Sequence, residues 1–138
     1  MAQISMQQVK ELRDRTQAGL NDCRGALTEA EGDLEKAIEI ILKKGLAKSA
    51  KRAGAVATEG EVVTKVTQDA LSGVMAEINI QTDFAARNED FRSFARAVID
   101  VALGADTGAD IGALPYPGGS GTVEETRAAL VGRLGENI

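Results

Sequence analysis

The spacing of apolar residues changes from a helical period to a strand period near residue 55. In the earlier part, apolar residues recur at three- and four-residue intervals, most clearly at Leu34, Ala37, Ile38, Ile41 and Leu42. In the later part, they alternate with the residues between them, most clearly at Val74, Ala76, Ile78 and Ile80. Since each period belongs to one type of secondary structure, the pattern predicts helices first and a sheet afterwards, in an α+β chain.

The first part of the chain is predicted to form three short helices around one small core. Ser5 and Gln8 fit a capping box at the start of the first helix. Asn21 or Asp22 is the predicted cap of the second helix, and Asp33 is the predicted cap of the third. Helices this short are not stable alone, so the three must pack together.

A basic segment follows the third predicted helix. We predict that Gly45 ends this helix, because glycine is common just past a helix end. Residues 43–52 carry five Lys and Arg side chains. The segment is either a solvated helical linker, which is the simpler interpretation, or a basic strip that meets an acidic surface of a partner.

The second part of the chain is predicted to begin with a short antiparallel hairpin. Alternating residues predict strands at 62–67 and 74–80, and residues 69–73 lie between them as a loop. An unpaired edge of so short a sheet would favour self-association.

Helices are expected again after the hairpin. Asn88 is a predicted cap, and Thr122 with Glu125 fits a second capping box. Between them, residues 104–121 are rich in glycine and include both prolines. Loops of this length are uncommon in compact domains, so a short helix is predicted near residues 110–114.

The distribution of charge supports a division into two units. Residues 1–54 carry ten Lys and Arg against eight Asp and Glu, whereas residues 55–138 carry six against thirteen. A shift of this kind predicts two units with different surfaces, with a boundary near residue 54. The overall charge of −5 argues against general nucleic-acid binding, which depends on neutralising phosphates.

Composition also narrows the class of protein. The chain has no histidine and one cysteine, Cys23, so common components of metal sites and of general-base catalysis are scarce. We therefore expect a protein that is not an enzyme and that holds no metal or cofactor. A single cysteine fits a reducing compartment, and the sequence predicts neither a signal peptide nor a membrane span, so we expect a cytoplasmic location.

Phe84 is the aromatic residue whose position is hardest to predict. It directly follows a predicted strand, whereas Phe91 and Phe94 have the helical spacing of core residues. In one interpretation, Thr82 or Asp83 caps a helix and Phe84 packs back onto the core. In the other, the junction between strand and helix presents Phe84 at the edge of the domain.

Two long segments resemble signatures of the elongation factor Ts family. Residues 15–27 read RTQAGLNDCRGAL and resemble its amino-terminal signature, and residues 77–87 read EINIQTDFAAR and resemble its second signature. The order and separation of the two segments also agree with the family, and residues 135–138, which read GENI, resemble a later family segment.

The resemblance implies a fold, an activity and a partner. It implies a three-helix, ubiquitin-associated-like domain at residues 1–54, followed at 55–138 by an α+β core subdomain of the dimerisation type. It implies a guanine-nucleotide exchange factor that binds elongation factor Tu in its GDP-bound and nucleotide-free states. The alternative is an adaptor that binds elongation factor Tu or another protein without exchanging nucleotide.

The resemblance also assigns the site residues. Thr82, Asp83 and Phe84 would reach the region of the magnesium bound to elongation factor Tu, with Phe84 as a wedge and Asp83 positioning or repelling groups there. Docking on the G domain of elongation factor Tu would involve five residues of the amino-terminal module: Arg15, Gly19, Leu20, Asp22 and Cys23.

The sequence departs from the family pattern in places. Gln17 stands where glycine is usual, and Ala85 stands where valine is frequent. The largest departure is length, because the family continues past residues 135–138 into a further strand and usually a second core subdomain. We therefore expect a piece of a longer protein, with a core subdomain that is truncated relative to the family.

Overall fold

The computed structural model describes residues 4–119 and 121–138. Three helices come first in the chain, followed by a β-hairpin and then by further helices. In chain order they are α1 Met6–Thr16, α2 Leu20–Glu29, α3 Leu34–Arg52, β1 Glu59–Val66, β2 Gly73–Ile80, α4 Asp83–Ala86, α5 Glu89–Gly104, a 3-10 helix at Ile111–Ala113, and α6 Val123–Leu134. The predicted α+β class is confirmed.

The first hydrophobic cluster lies among α1, α2 and α3. Its fully buried members come from all three helices and include Leu12, Leu27 and Ala37. The predicted starts of α1 and α3 are confirmed: Ser5 and Gln8 form a capping box, and the Asp33 side chain accepts from the Lys36 N–H. These caps satisfy N–H groups that have no partner within the helix.

The predicted start of α2 is wrong. Gly19 is the N-cap, and Asn21 and Asp22 lie inside the first turn of the helix. No side-chain oxygen caps the Gly19 end, and the predicted caps Asn21 and Asp22 lie two and three residues after the observed N-cap. Asp22 instead places a negative charge in the first turn, where the helix dipole favours it.

The predicted end of α3 at Gly45 is also wrong, because α3 continues to Arg52. Gly45 is buried against α6, and a Cβ built on it would lie 3.4 Å from the Ala129 Cα. A glycine inside a helix costs about 1 kcal/mol relative to alanine. Close packing of α3 on α6 offsets that cost, so the helix does not stop where its local sequence suggests.

Residues 43–52 are therefore helical and largely exposed, as the simpler interpretation predicted, but they pack on α6 and do not form a free linker. One face of this segment is covered, with Ser49 buried, and two of its lysines form ion pairs with α2. Lys44 lies 2.9 Å from Glu29, and Lys48 lies 3.0 Å from Asp22. Part of the positive charge is thus neutralised within the chain.

The second hydrophobic cluster lies between the hairpin, α5 and α6. β1 and β2 pair antiparallel, with Val62 opposite Glu77 and Thr64 opposite Met75. α5 covers the face that carries Ile78 and Ile80, and Phe91 supplies the largest fully buried side chain. Among the described residues, the other face of the sheet is exposed; self-association through this sheet stays a prediction.

The segment after α5 contains the predicted short helix and the predicted helix that follows it. The short helix expected near residues 110–114 is the 3-10 helix at Ile111–Ala113, capped by Asp110. Thr122 and Glu125 form the predicted capping box of α6, and Gly135 ends that helix in a left-handed conformation, with φ of 75°. In the described part of the chain, every helix is too short or too polar to cross a lipid bilayer.

Candidate functional site

The turn between β2 and α4 is built by a single capping residue. Thr82 has extended backbone angles, and its hydroxyl accepts a hydrogen bond from the Ala85 N–H at 3.2 Å. The chain thereby passes from a buried strand end at Ile80 into a one-turn helix within two residues. Of the two caps that the sequence predicted, Thr82 is the one observed, and Asp83 lies in the first turn of the helix.

Phe84 points away from the core. Its exposed fraction is 86%, whereas Phe91 and Phe94 are buried and Phe94 stacks on Tyr116 with ring centroids 6.0 Å apart. The interpretation in which Phe84 packs onto its own core is therefore wrong. Burying a large apolar side chain stabilises a fold by roughly 1.5–3 kcal/mol, and this fold forgoes that contribution at Phe84.

Asp83 lies beside the exposed ring. Its carboxylate is 3.3 Å from the Arg87 guanidinium, one turn along α4. Both side chains are largely exposed, and ion pairs of this kind contribute only about 0–1 kcal/mol. Either charge can therefore reorient toward a third group at little cost. Phe84 and Asp83 together present an apolar ring and a carboxylate at one corner of the molecule.

Glu136 is hydrogen-bonded to the turn, and the sequence analysis did not predict this contact. Glu136, 54 residues further on, accepts hydrogen bonds from the Thr82 N–H at 3.0 Å and from the Thr82 hydroxyl at 2.8 Å. No local pattern marks a contact across such a separation. The only signal available was that Glu136 falls in the segment resembling the family.

The predicted docking residues of the amino-terminal module lie around the start of α2. Leu20 is 48% exposed, directly after the N-cap Gly19. Asp22 is paired with Lys48 of α3, and Arg15 lies 2.9 Å from Glu35 of α3. The surface therefore combines one accessible apolar side chain with charges that already have partners.

Cys23 differs from the other four because it has no exposed surface. Its Sγ lies 3.7 Å from the Ala18 carbonyl, and burial raises the pKa of its thiol. Cys23 is therefore part of the first hydrophobic cluster and packs there as a small apolar residue. Any influence on a docking surface would act through the packing of α2.

The end of α6 and the residues just after it are bonded to the loop before α2 and to Thr82. The Arg133 guanidinium donates to the Gln17 carbonyl at 2.9 Å and lies 2.8 Å from the Asp90 carboxylate. Gln17 ends α1 in a left-handed conformation, with φ of 56°, just before Gly19. Three positions after Arg133, Glu136 holds Thr82. Residues 133–136 are thus bonded to Thr82 of the exposed turn and to the loop that precedes the α2 surface.

A cleft of about 470 Å³ lies between the amino-terminal helices and the core. Its lining mixes apolar side chains such as Ile38 and Leu42 with charges of both signs, including Arg15 and Arg133. The described residues bring together no group of three potential metal ligands. The features with a clear chemical character are the exposed turn and the α2 surface, and both suit contact with another macromolecule.

Comparison with known proteins shows which proteins this chain resembles. A family model described as Elongation factor TS matches residues 81–138. Elongation factor Ts of Thioalkalivibrio sulfidiphilus is 47% identical over 136 residues, which are 98% of this chain and 46% of that relative. Elongation factor Ts of Arthrospira platensis is 46% identical over 140 residues, which are 100% of this chain and 56% of that relative. Over nearly its whole length, the chain is similar to elongation factor Ts of these species.

The elongation factor Ts match covers the residues that shape the exposed turn. Thr82, Phe84 and Glu136 all fall within the range matched by the family model. Elongation factor Ts of Acidithiobacillus ferrooxidans is 50% identical over 135 residues, which are 98% of this chain and 45% of that relative. The chain spans about half the length of the elongation factor Ts relatives that it matches, and it corresponds to their amino-terminal portion.

Proposed function

We propose that this chain acts in translation elongation, in the cytoplasm, by binding elongation factor Tu and promoting the release of its GDP. Similarity to elongation factor Ts relatives supports the general role. The observation that carries the proposal is Phe84, whose ring is 86% exposed at the tip of a turn whose backbone is fixed.

The proposed mechanism needs no chemical step in this chain. GDP is held in such proteins largely by contacts to its phosphates and by Mg²⁺, which offsets the phosphate charge. A rigid aromatic ring inserted between the elements that hold the metal would separate them. Asp83, next to Phe84, would add a negative charge that competes for the metal or repels the phosphates. Both effects weaken nucleotide binding.

The same mechanism makes factor and nucleotide mutually antagonistic. If this chain lowers the affinity of elongation factor Tu for GDP by some factor, GDP lowers the affinity for this chain by the same factor. The chain would therefore bind the nucleotide-free form most tightly. High GDP would displace it.

A second contact with elongation factor Tu would add binding affinity without itself displacing Mg²⁺ or GDP. We propose that the α2 surface, with Leu20 at its centre and Arg15 and Asp22 at its sides, docks on the G domain of elongation factor Tu. Gly19 is the N-cap of α2, and Cys23 supports that helix from within. These assignments extend the proposal that residues 1–54 and 55–138 are separate domains with different contacts.

The test is the rate at which labelled GDP leaves elongation factor Tu. The wild-type chain is expected to accelerate release, and Phe84→Ala is expected to reduce the acceleration about thirtyfold or more, since a central aromatic anchor contributes roughly 2 kcal/mol or more. Leu71→Ala is the matched control, because Leu71 is 83% exposed in the hairpin loop, outside the proposed contact. Equal activity of wild type and Phe84→Ala would refute the wedge.

Binding measured separately distinguishes exchange from an adaptor role. Calorimetry with GDP-bound and nucleotide-free elongation factor Tu should give tighter binding to the nucleotide-free form. Equal binding to both forms, with no change in the GDP release rate, would favour an adaptor that docks through residues 1–54. Loss of binding in Leu20→Asp would then locate the docking surface.

A further inference from the structure

We infer that Glu136 is a positioning residue for the exposed turn, and that its carboxylate sets the direction in which Phe84 is presented. The inference rests on the proposed function for its biological meaning. Its physical basis is independent of that function, because it concerns hydrogen bonds within this chain.

The contact between Glu136 and Thr82 fixes more than one atom. One carboxylate oxygen accepts from the Thr82 N–H at 3.0 Å, and the other accepts from the Thr82 hydroxyl at 2.8 Å. A threonine hydroxyl has a single proton, and here that proton is donated to Glu136. The hydroxyl lone pairs then face the Ala85 N–H, which donates to them at 3.2 Å. The carboxylate thereby orients the cap of α4.

α4 needs such external support. It is a single turn, Asp83–Ala86, and one helical turn is not stable without tertiary contacts. Ala85 packs into the core, but the Phe84 ring does not. The direction of the ring therefore depends on the backbone of the turn. Hydrogen bonds to an ionised carboxylate are about twice as strong as neutral ones, so Glu136 is well suited to hold that backbone.

Glu136 is itself held on both sides. Before it, Gly135 ends α6 and donates its N–H to the Val131 carbonyl at 2.8 Å. After it, the Asn137 N–H donates to the Gln81 side chain at 2.7 Å, and the Asn137 side chain donates to the Ala55 carbonyl at 2.9 Å. The backbone that carries the Glu136 carboxylate is thus hydrogen-bonded to α6, to the residue after β2 and to the chain after α3.

A fixed turn would matter for exchange because ordering a flexible segment on binding reduces affinity. With Glu136 in place, the ring would meet elongation factor Tu already in its binding direction. Without Glu136, the same ring would have to be ordered during the encounter. Loss of Glu136 is therefore expected to weaken the effect of Phe84 on GDP release and to leave the stability of the core unchanged.

The first experiment uses the free chain and needs no partner. Amide hydrogen exchange is measured for the wild type, Glu136→Gln, Glu136→Ala and the control Glu77→Ala, which changes an exposed residue of β2. In Glu136→Ala, the amides of Thr82 and Ala85 are expected to exchange about tenfold faster or more, as expected for loss of about 1.4 kcal/mol of protection. Glu136→Gln retains one acceptor oxygen and should fall between wild type and Glu136→Ala.

The slowest amides of the core provide the reference for this experiment. Amides around Phe91 in α5 are expected to keep their wild-type protection in both Glu136 variants. Unchanged exchange at Thr82 and Ala85 would overturn the inference. So would an equal loss of protection at α5, because Glu136 would then stabilise the whole core rather than the turn.

The second experiment links the turn to nucleotide release. Glu136→Ala should reduce the acceleration of GDP release several-fold in the wild-type background and should have a much smaller effect in a Phe84→Ala background, where only the contribution of Asp83 remains. A merely structural role would reduce release by the same factor in both backgrounds, and that result would overturn the inference. If the wild-type chain does not accelerate release, the proposed function fails, whereas hydrogen exchange still decides whether Glu136 holds the turn.

Discussion

Gly45 of α3 and Ala129 of α6 pack at backbone contact distance: a Cβ added to Gly45 would lie 3.4 Å from the Ala129 Cα. Gly132, one turn further along α6, faces the same stretch of α3, since a Cβ there would lie 3.7 Å from the Gly45 Cα. α3 contributes Ile41 to the first hydrophobic cluster, and α6 contributes Leu130 to the second. Small residues thus allow the two helices to approach closely.

This packing predicts opposite effects for two substitutions at Gly45. Gly45→Ala should raise the free energy of unfolding by about 0.5–1 kcal/mol, because the added methyl meets α6 at an ordinary contact distance and alanine favours a helix. Gly45→Leu should lower it by about 1–3 kcal/mol or more, because the longer side chain must displace the α6 backbone. Urea denaturation of the two variants gives both values.

The matched control for Gly45 is Gly25 in α2. A Cβ on Gly25 meets no atom within 4 Å, so Gly25→Leu gains helix propensity without a clash. We expect Gly25→Leu to be neutral or slightly stabilising. If Gly45→Leu behaved in the same way, α3 and α6 would not pack this closely in solution.

The two phenylalanines on either side of the α4–α5 junction should differ sharply in stability. Phe91 has no exposed surface, so Phe91→Ala should lower the free energy of unfolding by about 3–5 kcal/mol. Phe84→Ala should change it by no more than about 0.5 kcal/mol, because the ring is exposed. Urea denaturation measures both. A large loss of stability in Phe84→Ala would show that the ring packs on its own chain.

Features that depend on neighbouring residues could be predicted from the sequence. Asp33, Asn88 and Thr122 all cap helices in the structure as predicted. In each case a side-chain oxygen reaches an N–H two or three residues ahead, so donor and acceptor lie within the same turn. The 3-10 helix at Ile111–Ala113 was predicted on a different ground, because a loop as long as residues 104–121 is uncommon in a compact domain.

Features that depend on distant residues could not be predicted in this way. The pattern at Gly45 resembles a helix end, and only the approach of α6, more than 80 residues later in the sequence, explains why α3 continues. The contact between Thr82 and Glu136 spans 54 positions. Periodicity and capping rules describe neighbouring residues, so they carry no information on either contact.

Phe84 shows an intermediate case. Its position after a strand allowed two interpretations, and the residue types alone favoured packing on the core. In the structure the Phe84 ring is exposed, because α4 is a single turn in which Ala85 occupies the inward position. The sequence located the candidate site at residues 82–84, whereas the direction of its side chains required the fold.

The last prediction concerns the dependence of stability on pH through Glu124. A hydrogen bond from Arg127 lowers the pKa of the Glu124 carboxyl below its ordinary value. A carboxyl whose pKa is lowered by folding stabilises the fold above its unfolded pKa of roughly 4.3, and this contribution is lost as the pH falls through the lower folded value. Glu124→Gln should therefore be less stable than wild type at pH 7, and the difference should shrink below about pH 4. Thermal unfolding across this range measures the difference. In an Arg127→Met background, Glu124→Gln should show little dependence on pH, and a difference that persisted there would mean that another group lowers the pKa of Glu124.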